Sequence, residues 1–224
     1  MDRLWSSLSR VAWVGILAGC GLLFLAALLV TAEVLLRKAI PDLIDLVAWL
    51  TGGQVAATKA KVWIRETLTF SGSDEISGYL FAVGTSWSMA HVLITRGHVR
   101  IDVLYSHFSA RTRAVLDILA LVCLTVFIGA LLERAFDVTW TNLVENNRSN
   151  TNLRVPFAWA QIPWVLGIAL FFITAVVAIL RSLMALLRGD YATVNAIAGA
   201  SSQDEEIESE LKGLGIETPH GGKA

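Results

Sequence analysis

The stretch RGHVRIDVLYSHFSARTR, Arg96 to Arg113, decides how the rest of the chain is read. It is a short polar connector between two apolar segments, and it carries four arginines against a single aspartate, Asp102. Loops dense in arginine are retained on the cytoplasmic side of a membrane. The flanking segments, Ile76 to Thr95 and Ala114 to Leu132, therefore read as membrane spans. The first has His91 as its one strongly polar ionisable group, and the second is interrupted only by Asp117 near its start.

Working outward, two further segments fit. Val11 to Ala32 has no charged side chain over 22 residues, and Val155 to Leu180 has none over 26. A hydrocarbon core of about 30 Å takes roughly 20 helical residues to cross. Of the 224 residues, 55% are hydrophobic and 17% charged, and the mean hydropathy is +0.61. Such values lie outside the usual soluble range. The expected fold is all-α and integral to the membrane, with four spans at about 11–36, 75–95, 112–136 and 156–187. Residues 1–188 form the membrane domain, and a polar, acidic cytoplasmic tail follows at 189–224. The first segment is too long for the core of a signal peptide, although Val30-Thr31-Ala32 faintly resembles a cleavage site. A net charge of −1 argues against a nucleic-acid partner. Cys20 and Cys123 fall inside expected spans and read as small apolar residues.

The first connection is long. Pro41 followed by DLIDLVAWL reads as a short helix stopped by Gly52-Gly53. The next run, VAATKAKVWIRETLTF, mixes Val62, Trp63 and Ile64 with Lys59, Lys61 and Arg65. It suits either an interfacial helix between the first and second spans or an irregular polar loop. The third connection contains ENNRSNTN, a turn-rich stretch. Trp140, Trp159 and Trp164 would share one membrane face as an aromatic belt, while Trp5 and Trp13 flank the start of the first span. With both termini cytoplasmic, that side holds eight arginines and the other side seven Lys and Arg. The dense second loop favours this orientation.

Ionisable groups inside a membrane cost about 2.5–3.5 kcal/mol at a helix centre, so each needs a partner. Glu33 has Arg37 four residues on, and Asp117 lies one turn from Arg113. Glu133, Arg134 and Asp137 are expected to mark the interface at the far end of the third span. His91 has no second histidine at matching depth, which argues against haem held between helices and favours a polar contact to a neighbouring helix or subunit. Gly15-x-x-x-Gly19 and Gly84-x-x-x-Ser88 are small-xxx-small pairs and weakly favour a protein–protein face. The first three spans lack proline, and Pro156 and Pro163 stand where the fourth begins. No metal-ligand spacing, phosphate loop or nucleophile–base arrangement is present in the sequence, and no cofactor is expected.

The run Arg96-Gly97-His98-Val99-Arg100-Ile101-Asp102 resembles a Gly-His-x-x-(Ile/Val)-Asp pattern in the small, DctQ-type membrane subunit of tripartite ATP-independent periplasmic (TRAP) transporters. Ser149, Thr151, Leu153, Pro156, Trp159, Pro163 and Gly167 resemble that family's pattern leading into its last span, and Glu75 resembles an acidic residue at the start of its second. The connection from Arg37 to Asp74 is longer than in a compact member. The resemblance implies a non-catalytic permease subunit in a bacterial inner membrane. Its partners would be a large membrane subunit carrying the substrate and sodium sites and a periplasmic substrate-binding protein that delivers an organic acid, such as a dicarboxylate, oxo acid or sugar acid. Two other readings come from different classes: a membrane anchor of a respiratory or redox complex, and an embedded enzyme using His98 and Asp102 as an acid–base pair. The second lacks a nucleophile or electrophilic stabiliser.

Overall fold

Long runs of Leu, Ala, Val and Ile without proline favour helix in an apolar medium, where each backbone N–H must find a carbonyl within its own segment. The computed structural model follows that rule, and it describes residues 2–51, 53, 58–59, 61–63, 72–97, 108–151 and 153–199. Among these every regular element is a helix, with no strand beyond an isolated bridge between Arg148 and Pro156.

The first helix, α1 (Asp2–Val34), begins nine residues before the expected span, so Trp5 and Trp13 lie within it. It does not end in a loop. A π-helical turn, Leu35–Ala39, carries it directly into α2 (Ile40–Thr51), which stops just before Gly52-Gly53. The other elements are α3 (Ser73–Ile94), α4 (Ala110–Val144), α5 (Phe157–Leu187) and the short α6 (Tyr191–Ala198). Glu133, Arg134 and Asp137 are therefore not at the end of their helix, which continues for about two more turns to Val144.

Among the described residues, three helices are long and apolar enough to cross a membrane: the continuous Arg3–Leu50 helix, Arg111–Val144 and Phe157–Leu187. The fourth expected span, α3, is 22 residues long, but its serines, threonine, glycines and His91 leave it less apolar than the rest.

The helices pack in the order α1, α3, α5, α4, with α5 between α3 and α4. The principal core lies between α4 and α5, where Leu121, Ile128 and Ala135 meet Ile168, Phe171, Ala175 and Ala178, and Leu93 joins from α3. α6 packs on both α4 and α5, placing Val194 against Ala114 and Ala185. The outward surfaces are apolar: Phe24, Phe81, Val126, Phe127 and Leu166 are each more than half exposed. That is the composition expected where lipid, not water, is the solvent.

Three helix ends share one device. Arg96, Asn146 and Gly189 each take a left-handed φ, 58°, 51° and 73°. The following N–H then reaches back five residues: Gly97 to Val92 O at 2.9 Å, Asn147 to Asn142 O at 3.1 Å, Asp190 to Ala185 O at 3.0 Å. These Schellman closures satisfy carbonyls that would otherwise be orphaned at the helix end.

Candidate functional site

The residues singled out from the sequence fall into three places. The first is the middle of the row, where three helices come into backbone contact. The paired small residues Gly15/Gly19 and Gly84/Ser88 face each other across α1 and α3. A Cβ added at Gly15 would stand 2.9 Å from Trp87 O, and one at Gly84 would stand 2.9 Å from Gly19 O. The small-xxx-small pairs thus serve packing inside this chain, where the sequence pointed weakly to a partner. Gly167 does the same for α5 against α3: its added Cβ would lie 2.7 Å from Trp87 Cδ1 and 2.9 Å from the carbonyl carbon of Ser86.

Trp87 is the hub of this contact. Its indole N–H donates to Pro163 O at 2.8 Å. Pro163 is inside α5, seven residues along, and not at its start. A proline there brings no N–H to the helix ladder. The hydroxyls in the middle of α3 are satisfied on its own carbonyls: Thr85 donates to Phe81 O at 2.8 Å, Ser86 to Val83 O at 2.9 Å, and Ser88 to Gly84 O at 2.9 Å. Tryptophan carries a lone donor that must be paired in apolar surroundings. A tryptophan amid small residues was the sequence signal for this hub, and it was missed.

The second place is the start of α3. Glu75 accepts hydrogen bonds from Tyr79 and, across 76 positions of sequence, from Thr151 in the α4–α5 connection. That connection is folded on itself. Ser149 Oγ contacts Thr151 Oγ1 at 3.0 Å, Ser149 N–H donates to Val155 O at 3.0 Å, and Phe157 N–H donates to Asn147 O at 3.1 Å. Pro156 caps α5 and pairs with Arg148, and Leu153 lies against Gly72. Glu33, which also holds Arg37 at 3.6 Å, accepts from Ser73. The resemblance motif of Glu75, Ser149, Thr151, Leu153 and Pro156 is thus one hydrogen-bonded fastening. Beside it, an apolar groove of about 570 Å³ runs between α1, α3 and α5, lined by Leu22, Tyr79, Val83, Trp87, Trp159 and Pro163. Trp159, 76% exposed, forms its rim.

The third place is the opposite end. Arg96 and Gly97 close α3, and an Arg96 guanidinium N–H reaches Asn195 O at 3.4 Å. The Arg181 guanidinium stacks 4.8 Å over the ring of Trp5. Arg113 Nε donates to Phe108 O at 2.8 Å, and Asp117, in the first turns of α4, is buried, 1% exposed. Asp190 caps α6, accepting from the Thr193 hydroxyl and from Thr193 N–H at 3.0 Å, which together hold its carboxyl below the ordinary value of 3.8. His98, Arg100 and Asp102 lie outside the described residues. The buried Nδ1 of His91 has no hydrogen-bond partner among the described residues, and no group of three His, Cys, Asp or Glu side chains that could hold a metal ion is found among them.

These are fastenings between helices. The family model for tripartite ATP-independent periplasmic transporters, DctQ component, matches residues 54–185. The chain belongs to the DctQ family. It is a multi-pass membrane protein and a small component of a TRAP transporter. No curated protein and no solved structure matches it. The DctQ match takes in α3, α4 and nearly all of α5, together with the Glu75–Thr151 fastening and Gly167. Helices α1 and α2 precede it.

Proposed function

We propose that this DctQ chain is the small permease subunit of a sodium-coupled TRAP importer of an organic acid, and that it acts as a non-catalytic scaffold for the large transport subunit. The substrate and sodium bind that larger subunit, and a periplasmic binding protein delivers the organic acid. This chain needs no cofactor of its own. It resides in a bacterial inner membrane with both termini and the tail from 189 cytoplasmic.

α3 is the fourth span in this reading. Its 22 residues extend for about 33 Å. The Thr85, Ser86 and Ser88 hydroxyls are turned onto its own carbonyls and the Trp87 indole onto α5, so these four side chains carry little unpaired cost in a bilayer.

The observation that carries the scaffold role is the glycine-mediated contact of α1, α3 and α5 together with the Glu75–Thr151 tie. A part against which another subunit moves must resist internal sliding. Backbone-to-backbone contact leaves little room for sliding, because close-packed interiors do not deform continuously. The test is co-expression with a large TRAP subunit. A complex that survives detergent gel filtration is expected, with weakened assembly when Gly167 is enlarged. Failure to associate with any large TRAP subunit would contradict the proposal.

A further inference from the structure

The continuous helix that contains α1 is much longer than a bilayer is thick. Arg3–Leu50 covers 48 residues, about 72 Å at 1.5 Å per residue. Even at a steep tilt of about 40°, a core of about 30 Å takes up only about 26 residues. The uncharged run that opens at Val11 is bounded at its far end by Glu33, Arg37 and Lys38. α2 therefore begins where the hydrocarbon has already ended.

Yet α2 is not a water-soluble helix. Leu43, Leu46, Val47 and Leu50 recur at helical spacing and are 59%, 55%, 50% and 67% exposed. Asp42 and Asp45 occupy a different side, and Lys61 pairs with Asp45. Ala48 is buried at 3%, so one flank is covered and the leucine stripe is left open. Between α1 and α2 stands the π turn, a place where the helix ladder changes register. It presents Arg37, 71% exposed at its side chain, and the exposed Lys38.

We infer that α2 is a membrane-surface anchor that turns off α1 at the π turn and lies along the leaflet, with Leu43, Leu46, Val47 and Leu50 in the upper acyl region and Arg37 and Lys38 on phospholipid phosphate. Two observations favour lipid over a partner helix as the occupant. The stripe has no Gly, Ala or Ser, the residues that let membrane helices approach closely. The two cations stand at its membrane end, where the headgroup phosphates are. An amphipathic helix so placed buries its apolar side about 5–10 Å into the headgroup–acyl boundary. α2 precedes the segment matched by the DctQ family, and the inference rests on α1 crossing a bilayer, independently of what the transporter carries.

The test uses the full chain in vesicles of phosphatidylethanolamine and phosphatidylglycerol, with Cys20→Ala and Cys123→Ala removing the native thiols. A nitrobenzoxadiazole label is placed at Leu46→Cys, Leu50→Cys or, as the aqueous control, Asp42→Cys. Lipids brominated near the headgroup end of the acyl chain should quench the labels at 46 and 50 more than lipids brominated at the chain terminus. Aqueous iodide should quench the label at 42 and largely spare the other two. Raising the phosphatidylglycerol fraction should strengthen lipid quenching, and an Arg37→Gln/Lys38→Gln variant should lose that response. Equal iodide access at all three positions would overturn the inference, as would labels at 46 and 50 shielded from both quenchers, which would mean a protein covers the stripe. An undiminished response in the glutamine variant would overturn the phosphate contact.

Discussion

Replacing Gly167 by alanine adds one methyl group at the close crossing of α3 and α5. Besides meeting the Ser86 hydroxyl, the new Cβ would lie 2.7 Å from Trp87 Cδ1 and 2.9 Å from the carbonyl carbon of Ser86, and these last two decide the cost. The indole is held by its bond to Pro163 O, and the Ser86 carbon is backbone within α3, so neither neighbour can swing aside. Overpacking of this kind costs about 1–3 kcal/mol. Against it stands a gain of about 0.4–1 kcal/mol from reducing the freedom of the unfolded chain. The net effect is a loss of about 1–2 kcal/mol, which for a chain of this size lowers the melting temperature by roughly 2–8 °C. Gly21→Ala and Gly78→Ala are the controls, since an added Cβ at either position meets nothing within 4 Å. Both should melt at or above the parent. The assay is thermal unfolding in detergent, followed by circular dichroism and by tryptophan emission. In a double-mutant cycle, Gly167→Ala and Trp87→Phe should be coupled by about 0.5–3 kcal/mol, as expected of groups in contact. A Gly167→Ala chain as stable as the controls would refute the close α3–α5 approach.

Thr151→Val removes the hydroxyl that reaches Glu75, and should speed amide hydrogen exchange across 145–156 while leaving the α4–α5 core unchanged. Asp190 titrates below its ordinary value because Thr193 donates to its carboxylate. A depressed folded pKa means that its contribution is present above pH 3.8 and is lost as pH falls through the lower folded value. Protection of α6 amides should therefore hold from pH 7 to about pH 4 and then fall, whereas an Asp190→Asn chain should show no such step. Asn146→Gly should raise stability by a few tenths to about 1 kcal/mol in the same thermal assay, since its φ of 51° suits glycine better.

Hydropathy and charge made the all-helical membrane fold and three of its spans legible, because lipid leaves few alternatives to a long apolar helix. The sequence reads α3 as a span too, but α3 is not among the three helices long and apolar enough to cross a membrane, and the acceptors of Ser86, Ser88 and Trp87 are contacts that composition does not show. The π turn at Leu35–Ala39 left no mark, since LLRKA is ordinary helical sequence and a change of register needs no special residue. The Schellman closure at Arg96 was hidden for a related reason: the left-handed position carries arginine, with Gly97 one residue further on. The pairs Gly15/Gly19 and Gly84/Ser88 were visible as motifs, but which surface each faces is a tertiary fact. So is the bond from Thr151 to Glu75. Both residues belonged to the recognised pattern, yet spacing along the chain says nothing about a contact spanning 76 positions.

The most direct test of the scaffold role is solute uptake by sealed proteoliposomes under an inward sodium gradient. Vesicles are prepared with this chain alone, with the large subunit alone and with both, each with the substrate-binding protein and its radiolabelled organic acid outside. The account predicts uptake with both subunits together and none above empty vesicles with this chain alone. Sodium-driven accumulation by vesicles holding this chain alone would contradict it.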